Sequence, residues 1–392
     1  MKKTLLVAAL TMGFAGVAQA ETSVTLYGIA DAALQHQSVK IDGIGKADRT
    51  GMTSGGRSGS RFGLKGSEDL GNGLKAIFTL EQGFDIGTGD NADGDRGAFN
   101  RQAFVGLAGD SWGAFTMGRQ YSISDGWLGA VGPFGNSFGL ASQPVTFASG
   151  GHRYDNLFRY ETPNFAGFQA AIGYSNDSGF GGQTWNRDNY ITGVDTDSEG
   201  NALTAGLRYA NGPLNAVATF DRLGDVSNGA GGTGSIKAWN LGGSYDFEVV
   251  KLALIFGQDR DGRIAANSGN IGQVLGDNGL AGGGAAPVPN AQYIDGFKAN
   301  NYLVGLSAPL GAGKVMGAWG MSDSNLSDAD VNGSVGNGFT GGEAKQHAFS
   351  LGYAYSLSKR TDVYAVGSYV KNLQYIDGAK GQEYRIGMRH AF

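Results

Sequence analysis

Beyond residue 20 the chain is a succession of runs of roughly ten residues in which apolar side chains alternate with polar or small ones. In GLKAIFTLEQGFD, Leu74, Ala76, Phe78, Leu80 and Phe84 alternate with Lys75, Thr79, Glu81 and Asp85. ALTAGLRYA sets Leu203, Ala205, Leu207 and Tyr209 against Thr204, Gly206 and Arg208, and QHAFSLGYAYS places Phe349, Leu351, Tyr353 and Tyr355 on one side. Successive side chains of a strand point to opposite faces, so a period of two commits the chain to strands with one greasy face and one polar face. Two runs, VTLYGIADAAL and DVYAVGSYV, are apolar on both faces. The connections alternate in length. Seven are short turns of Gly, Asn, Asp and Ser, near 68–73, 109–113, 164–167, 211–213, 247–249, 310–313 and 357–360. Eight are long, near 37–58, 86–98, 121–152, 177–199, 223–235, 259–297, 323–344 and 372–381. Fifteen connections join sixteen strands into an antiparallel up-and-down meander with short turns at one end and long loops at the other.

Two architectures accept such a meander, a soluble sandwich with protected edges or a closed barrel without any. The polar face separates them. It is rich in glycine, dotted with Arg, Lys, Asp and Glu, and too hydrophilic for a packed interior, while aromatic residues gather at the strand ends of the greasy face. The greasy face therefore meets lipid and the polar face a watery lumen. In hydrocarbon only a closed sheet satisfies every backbone N–H and C=O, and sixteen strands enclose an aqueous channel. The predicted fold is an all-β, transmembrane antiparallel up-and-down β-barrel of 16 strands, one domain over 21–392. Residues 1–20 read as a cleaved secretory signal, with Lys2 and Lys3, the apolar TLLVAALTMGFAGVA and the small-x-small Ala18-Gln19-Ala20. Removing the two lysines leaves 28 basic against 35 acidic residues. That balance argues against a nucleic-acid partner, and the absence of cysteine excludes disulfides and thiolate sites. With four scattered histidines, His36, His152, His347 and His390, no metal or other cofactor is expected. Paired carboxylates for an enzyme are limited to Glu81 with Asp85 on one strand, more simply read as hydration sites.

VTLYGIAD, SRFGLKGSEDLGNGLKAIFTLEQGF, RQAFVGLAG, FTMGRQ, RYDNLFRYETPNFAGF, NGPL, SYDF, LSKRT and the terminal GMRHAF follow one another across nearly all of the chain after residue 20. In this order they resemble the trimeric general diffusion porins of Gram-negative outer membranes, in particular the beta-proteobacterial branch. The resemblance implies short periplasmic turns, long extracellular loops and a homotrimer latched by the second loop (86–98). It implies passive passage of small anionic or neutral hydrophilic solutes, and contact with outer-membrane lipid and lipopolysaccharide. It also implies that Phe392, ending the last strand, is the barrel assembly signal read by the outer-membrane assembly machinery.

The third long loop, 121–152, is long, apolar and aromatic, with Asp125 as its only formal charge before His152. Its GPFGNSFG (132–139) resembles the tip of the loop that folds into the lumen and narrows it in this family. Basic residues are expected opposite. Arg61 and Lys65 share the polar face of SRFGLKG, and Arg153 and Arg159 share the face opposite Phe158 and Tyr160. The family places a further wall arginine at Arg101, yet strict alternation sides Arg101 with Ala103, Val105 and Leu107, so it needs a bulge or a strand-end position to reach the lumen. The expected pore constriction is thus Arg61, Lys65, Arg101, Asp125, Arg153 and Arg159, a positive passage facing one carboxylate and preferring anions. Lys75, Arg208, Lys237, Lys251, Arg385 and Arg389 also fall on polar faces. The acidic excess is assigned to outer loops, 195–200 and 322–333, as solvated segments or divalent-cation and lipopolysaccharide bridges. A second reading keeps the barrel but makes it a substrate-specific channel for a sugar or carboxylate, with Trp127, Phe134 and Phe138 as an aromatic slide.

Overall fold

A computed structural model describes residues 22–42, 45–92, 97–149, 152–178, 200–228, 232–264, 293–326 and 345–392. The expected signal at 1–20 lies outside these residues, as do 195–199 and 327–333 of the acidic loops. The strands run, in order, β1 (Ser23–Ile41), β2 (Gly45–Ser54), β3 (Arg61–Gly71), β4 (Leu74–Gly83), β5 (Gln102–Gly109), β6 (Gly113–Tyr121), β7 (Arg153–Glu161), β8 (Phe168–Ser175) and β9 (Ala202–Asn211). They continue as β10 (Leu214–Ser227), β11 (Thr233–Asp246), β12 (Lys251–Arg260), β13 (Lys298–Leu310), β14 (Gly313–Ser324), β15 (Lys345–Ser356), β16 (Thr361–Lys371) and β17 (Ala379–Ala391). Every pairing is antiparallel. β2 and β3 both pair with β1, one with its second half and one with its first, so together they form the second wall strand. Counted this way the wall has the sixteen strands expected.

The ring closes between β1 and β17, from Ile29 opposite Ala391 to Ile41 opposite Ala379. Gly28 N–H donates to the Phe392 carbonyl at 3.0 Å, and Phe392 N–H returns a bond to Gly28 at 3.1 Å. Closure leaves no edge strand, which is what lets a sheet stand in a bilayer. All seven short connections fall where the sequence placed them. At the first, Asn72 and Gly73 both hold positive φ (53° and 75°), the pair of left-handed residues that a two-residue hairpin requires.

Burial is inverted relative to a soluble protein. Outward-facing Leu26, Leu64, Val105, Leu207, Leu351 and Ile386 are uncovered, whereas polar Asp31, Glu81, Thr204, Asn301 and Glu383 are buried. An uncovered apolar wall of this extent is stable only against lipid. Aromatic side chains cluster near the short turns: Phe168 packs on Tyr209 with ring centres 4.5 Å apart, and Tyr245 on Phe247 at 4.6 Å.

The first long connection is shorter than the sequence suggested. β1 extends to Ile41 and β2 begins at Gly45, so 37–58 is mostly hairpin. Alternation is hard to see there because both strands rise past the membrane, where neither face must be greasy. The third connection keeps its expected length and enters the barrel. Its first turn is a short helix, α1 (Ile123–Leu128), capped by the Ser122 hydroxyl, which accepts from Asp125 N–H at 3.0 Å. From there the chain runs around the inner wall, packing on β8–β10 first and on β15–β17 at its tip.

Candidate functional site

The inner wall is shaped for this loop. Ile123 and Trp127 lie over Gly206 of β9, Leu128 and Val131 over Gly242 of β11, Pro133 over Gly305 of β13, and Phe134 over Gly352 of β15. A β-carbon at Gly206 would stand 2.7 Å from Ile123 Cγ2, and one at Gly305 2.5 Å from Pro133 Cδ, so these lumen-facing glycines are the space the loop occupies. Phe138 packs edge-on against Tyr364 of β16 with ring centres 5.6 Å apart, and Leu140 N–H donates to Glu383 Oε1 of β17 at 3.0 Å. The two runs that were apolar on both faces are thereby explained. Ala33 of β1 and Tyr364 and Val366 of β16 turn inward and are buried under Phe134 and Phe138. We expect Gly206→Leu and Gly305→Leu to push the loop off the wall and to change single-channel conductance, while the same substitution at outward-facing Gly317, opposite lipid-exposed Leu351 and with nothing nearer than the Ser350 carbonyl at 3.9 Å, leaves it unchanged.

The loop covers β8–β17 and leaves the wall of β3–β7 open. There Arg101 and Arg153 converge on one tyrosine. Arg153 Nη2 donates to the Tyr121 hydroxyl at 2.8 Å, and its guanidinium carbon stands 4.3 Å from the Tyr121 ring centre. Arg101 donates to the same hydroxyl, and its Nε pairs with Glu81 Oε1 at 2.7 Å. Arg61 approaches Glu81 Oε2 at 3.5 Å and donates to the Gly59 carbonyl at 3.0 Å. Glu81 also accepts from Tyr27 at 3.0 Å. Arg61 and Arg101 share one carboxylate, Arg153 joins them through Tyr121, and the group of three guanidiniums and one carboxylate keeps an excess of positive charge.

Each expected residue has a definite place. Arg101 reaches the lumen because it precedes β5 by one residue, after Phe99 in the left-handed region (φ 62°), so strand alternation does not govern it. Arg153 and Arg159 both meet Tyr121, but not through an unbroken face. The register between β6 and β7 shifts at Gly118/Gln120, and Asn156 holds φ 50°, so Tyr154 and Leu157 both turn inward. Arg159 donates to the Tyr121 carbonyl at 3.4 Å and pairs with Glu161 at 2.6 Å, which offsets its charge. Lys65 lies on the Arg61 face, its ammonium 5.6 Å from the Tyr27 ring centre.

Two expectations are corrected. Asp125 does not oppose the arginines. It is 9% exposed, accepts from Asn136 Nδ2 at 2.8 Å and lies beside Asp221 of β10, under the loop. The carboxylate facing the arginines is instead Glu81, on the wall itself. Nor do Trp127, Phe134 and Phe138 form a slide: all three are buried against the wall and present no face to a sugar. Sequence reasoning missed Tyr121, at the last position of a strand, and the ion pairs of Arg119 with Asp155, Arg385 with Glu383 and Arg389 with Asp362. Glu383, Arg385, Arg389 and Asp362 sit on positions of inward alternation, but pairing across strands needs the register, and Arg119 has the parity of outward-facing Phe115 and Met117 ahead of the register shift at Gly118/Gln120. Among the described residues no group of three or more metal-ligating side chains occurs.

The profile of the Gram-negative porin family matches residues 5–374. An outer membrane porin protein of Bordetella pertussis is 44% identical with all of both chains aligned, and outer membrane porin protein 32 of Delftia acidovorans is 32% identical, again over all of both chains. Among solved structures, an anion-selective porin from Comamonas acidovorans superposes with a TM-score of 0.67 at 28% identity, covering 95% of this chain and 100% of that one. Members of this family are channels rather than enzymes. A lipid-facing barrel, a lumen narrowed by its own third loop and full-length kinship with outer membrane porins lead to one conclusion: the chain belongs to the Gram-negative porin family and forms an outer-membrane channel for passive diffusion of small hydrophilic solutes.

Proposed function

We propose that this channel prefers anions, and that Arg61, Arg101 and Arg153, with Lys65 and Arg159 beside them, set the preference where the third loop narrows the bore. The observation carrying this reading is the chain of three guanidiniums in which Arg101 and Arg153 meet on Tyr121 and Arg61 and Arg101 meet on Glu81, the one carboxylate among them. In a narrow passage with low-dielectric walls, such an excess raises the local anion concentration and repels cations, whatever the net charge of the outer loops. The anion-selective relative from Comamonas supports it. The solutes are then small anions and neutral hydrophilic molecules, and the chain has no catalytic role. We read residues 1–20 as a cleaved signal, Phe392 as the segment the assembly machinery recognises, and the working unit as a homotrimer embedded among lipid and lipopolysaccharide, in keeping with the family. The reversal potential of the purified protein in a planar bilayer under a KCl gradient tests the preference. The expected sign is that of chloride permeating faster than potassium; the opposite sign rejects it.

A further inference from the structure

The second wall strand is interrupted. Between β2 and β3 the residues Gly55-Gly56-Arg57-Ser58-Gly59-Ser60 leave the sheet and turn into the bore. Asp31 of β1, with none of its surface exposed, organises this detour. Its Oδ2 accepts from the backbone N–H of Ser58 at 2.7 Å and of Arg57 at 3.1 Å, and its Oδ1 from the Tyr364 hydroxyl at 2.6 Å. Its carbonyl accepts from Gly55 N–H at 2.8 Å and from the Ser60 hydroxyl at 3.0 Å. A buried carboxylate so saturated with donors holds a six-residue excursion in one conformation.

The detour presents Arg57. Its guanidinium pairs with Asp362 of β16, which also accepts from Arg389 Nη1 of β17 at 3.1 Å. On its other side it lies 5.8 Å from the ring centre of Phe138, at the tip of the third loop. The side chains of Arg57 and Arg389 keep 26% and 23% of their surface open, against 11% for Asp362. The cations therefore face the water while their carboxylate is screened. The two ends of the excursion tie into the rest of the site: Arg385 Nη1 donates to the Gly56 carbonyl at 3.0 Å, and Arg61 Nη1 to that of Gly59 at 3.0 Å.

We propose that Arg57 and Arg389, sharing Asp362, form a second anion-binding station that extends the basic arc from β3–β7 onto the side of the passage where the loop tip docks. Two guanidinium forks with one carboxylate between them retain a net positive charge and free donors, an arrangement suited to small carboxylates and inorganic oxyanions. The inward detour is the device that brings Arg57 there. This station rests on the anion preference proposed above and deepens it. Its test is the acetate-to-potassium permeability ratio of single channels in a potassium acetate gradient. Asp362→Asn leaves both guanidiniums without their carboxylate and raises the ratio about threefold; Arg57→Gln lowers it by a similar factor. Both variants break the same ion pair, so opposite signs separate charge from damage to the fold. No change in either variant, or a change of the same sign in both, overturns the station. A wild-type channel that prefers potassium overturns the anion preference instead, and the station then stands or falls on whether the two variants still move the ratio in opposite directions.

Discussion

Replacing Arg61 and Arg153 with glutamine will lower the chloride-to-potassium permeability ratio sharply and raise the single-channel conductance. The reasoning is electrostatic. Arg101 and Arg153 meet on Tyr121 and Arg61 and Arg101 on Glu81, so removing Arg61 and Arg153 leaves Arg101 balanced by Glu81 and turns a positive group into a neutral one. Potentials of several kT are common in clefts lined by one sign of charge, and a drop of about one kT reduces the anion-to-cation ratio roughly sevenfold. Conductance rises because two large side chains leave the passage and glutamine is shorter. The measurement is the zero-current potential in a KCl gradient together with single-channel current in symmetric salt. The double variant is informative only beside Glu81→Gln, which removes the counter-charge and is expected to move the ratio the other way. An unchanged ratio in the double variant would show that ions are sorted elsewhere in the bore.

The second large effect is expected at the end of the chain. Deleting Phe392 should reduce the amount of folded protein in the outer membrane by about tenfold, while the same protein purified and refolded in detergent still closes its barrel. The local cost is modest. Two backbone hydrogen bonds to Gly28 are lost, together with the contact of the ring on Gly28, about 3 kcal/mol in all. The rest of the β1–β17 seam, thirteen residue pairs from Ile29 to Ile41, remains. A loss confined to cells therefore reports recognition of the terminal strand during assembly. Equal loss in cells and in detergent assigns Phe392 to the seam alone, and undiminished levels in cells reject both roles. Gly28 offers a control, because any side chain there meets the Phe392 ring and perturbs the seam without altering the terminus.

Some of the site was legible in advance and some was not, for identifiable reasons. Arg61 and Lys65 fell on a face that alternation alone settles, since β3 runs without interruption from Arg61. Arg101 and Arg153 did not, because a left-handed Phe99 and a left-handed Asn156 break the phase of their strands, and phase is all that a single strand reveals. Asp125 looked like the counter-charge because it was the one carboxylate in the loop. Whether a loop carboxylate faces the bore or the wall depends on which side of a short helix meets β10, and neither the helix nor its partner strand is marked in the loop's composition. The interrupted second strand was read as part of a long loop, since Gly-Gly-Arg-Ser-Gly-Ser has turn chemistry wherever it occurs. Only the register of β2 and β3 on β1 reveals it as a detour inside the wall.

What the sequence determined by itself is the sheet: its strands, its order, its closure and its inside-out polarity. These follow from a period of two, from turn residues at regular intervals and from the requirement that no backbone amide be left unpaired in hydrocarbon, all of which are local or nearly so. What the tertiary structure decided is the constriction. Its geometry depends on contacts between residues far apart in the chain, such as Arg57 with Asp362 or Leu140 with Glu383, and on glycines whose missing side chains make room for distant loop residues, as Gly206 does for Ile123 and Trp127. A linear pattern states which face a residue takes; it does not state what stands opposite.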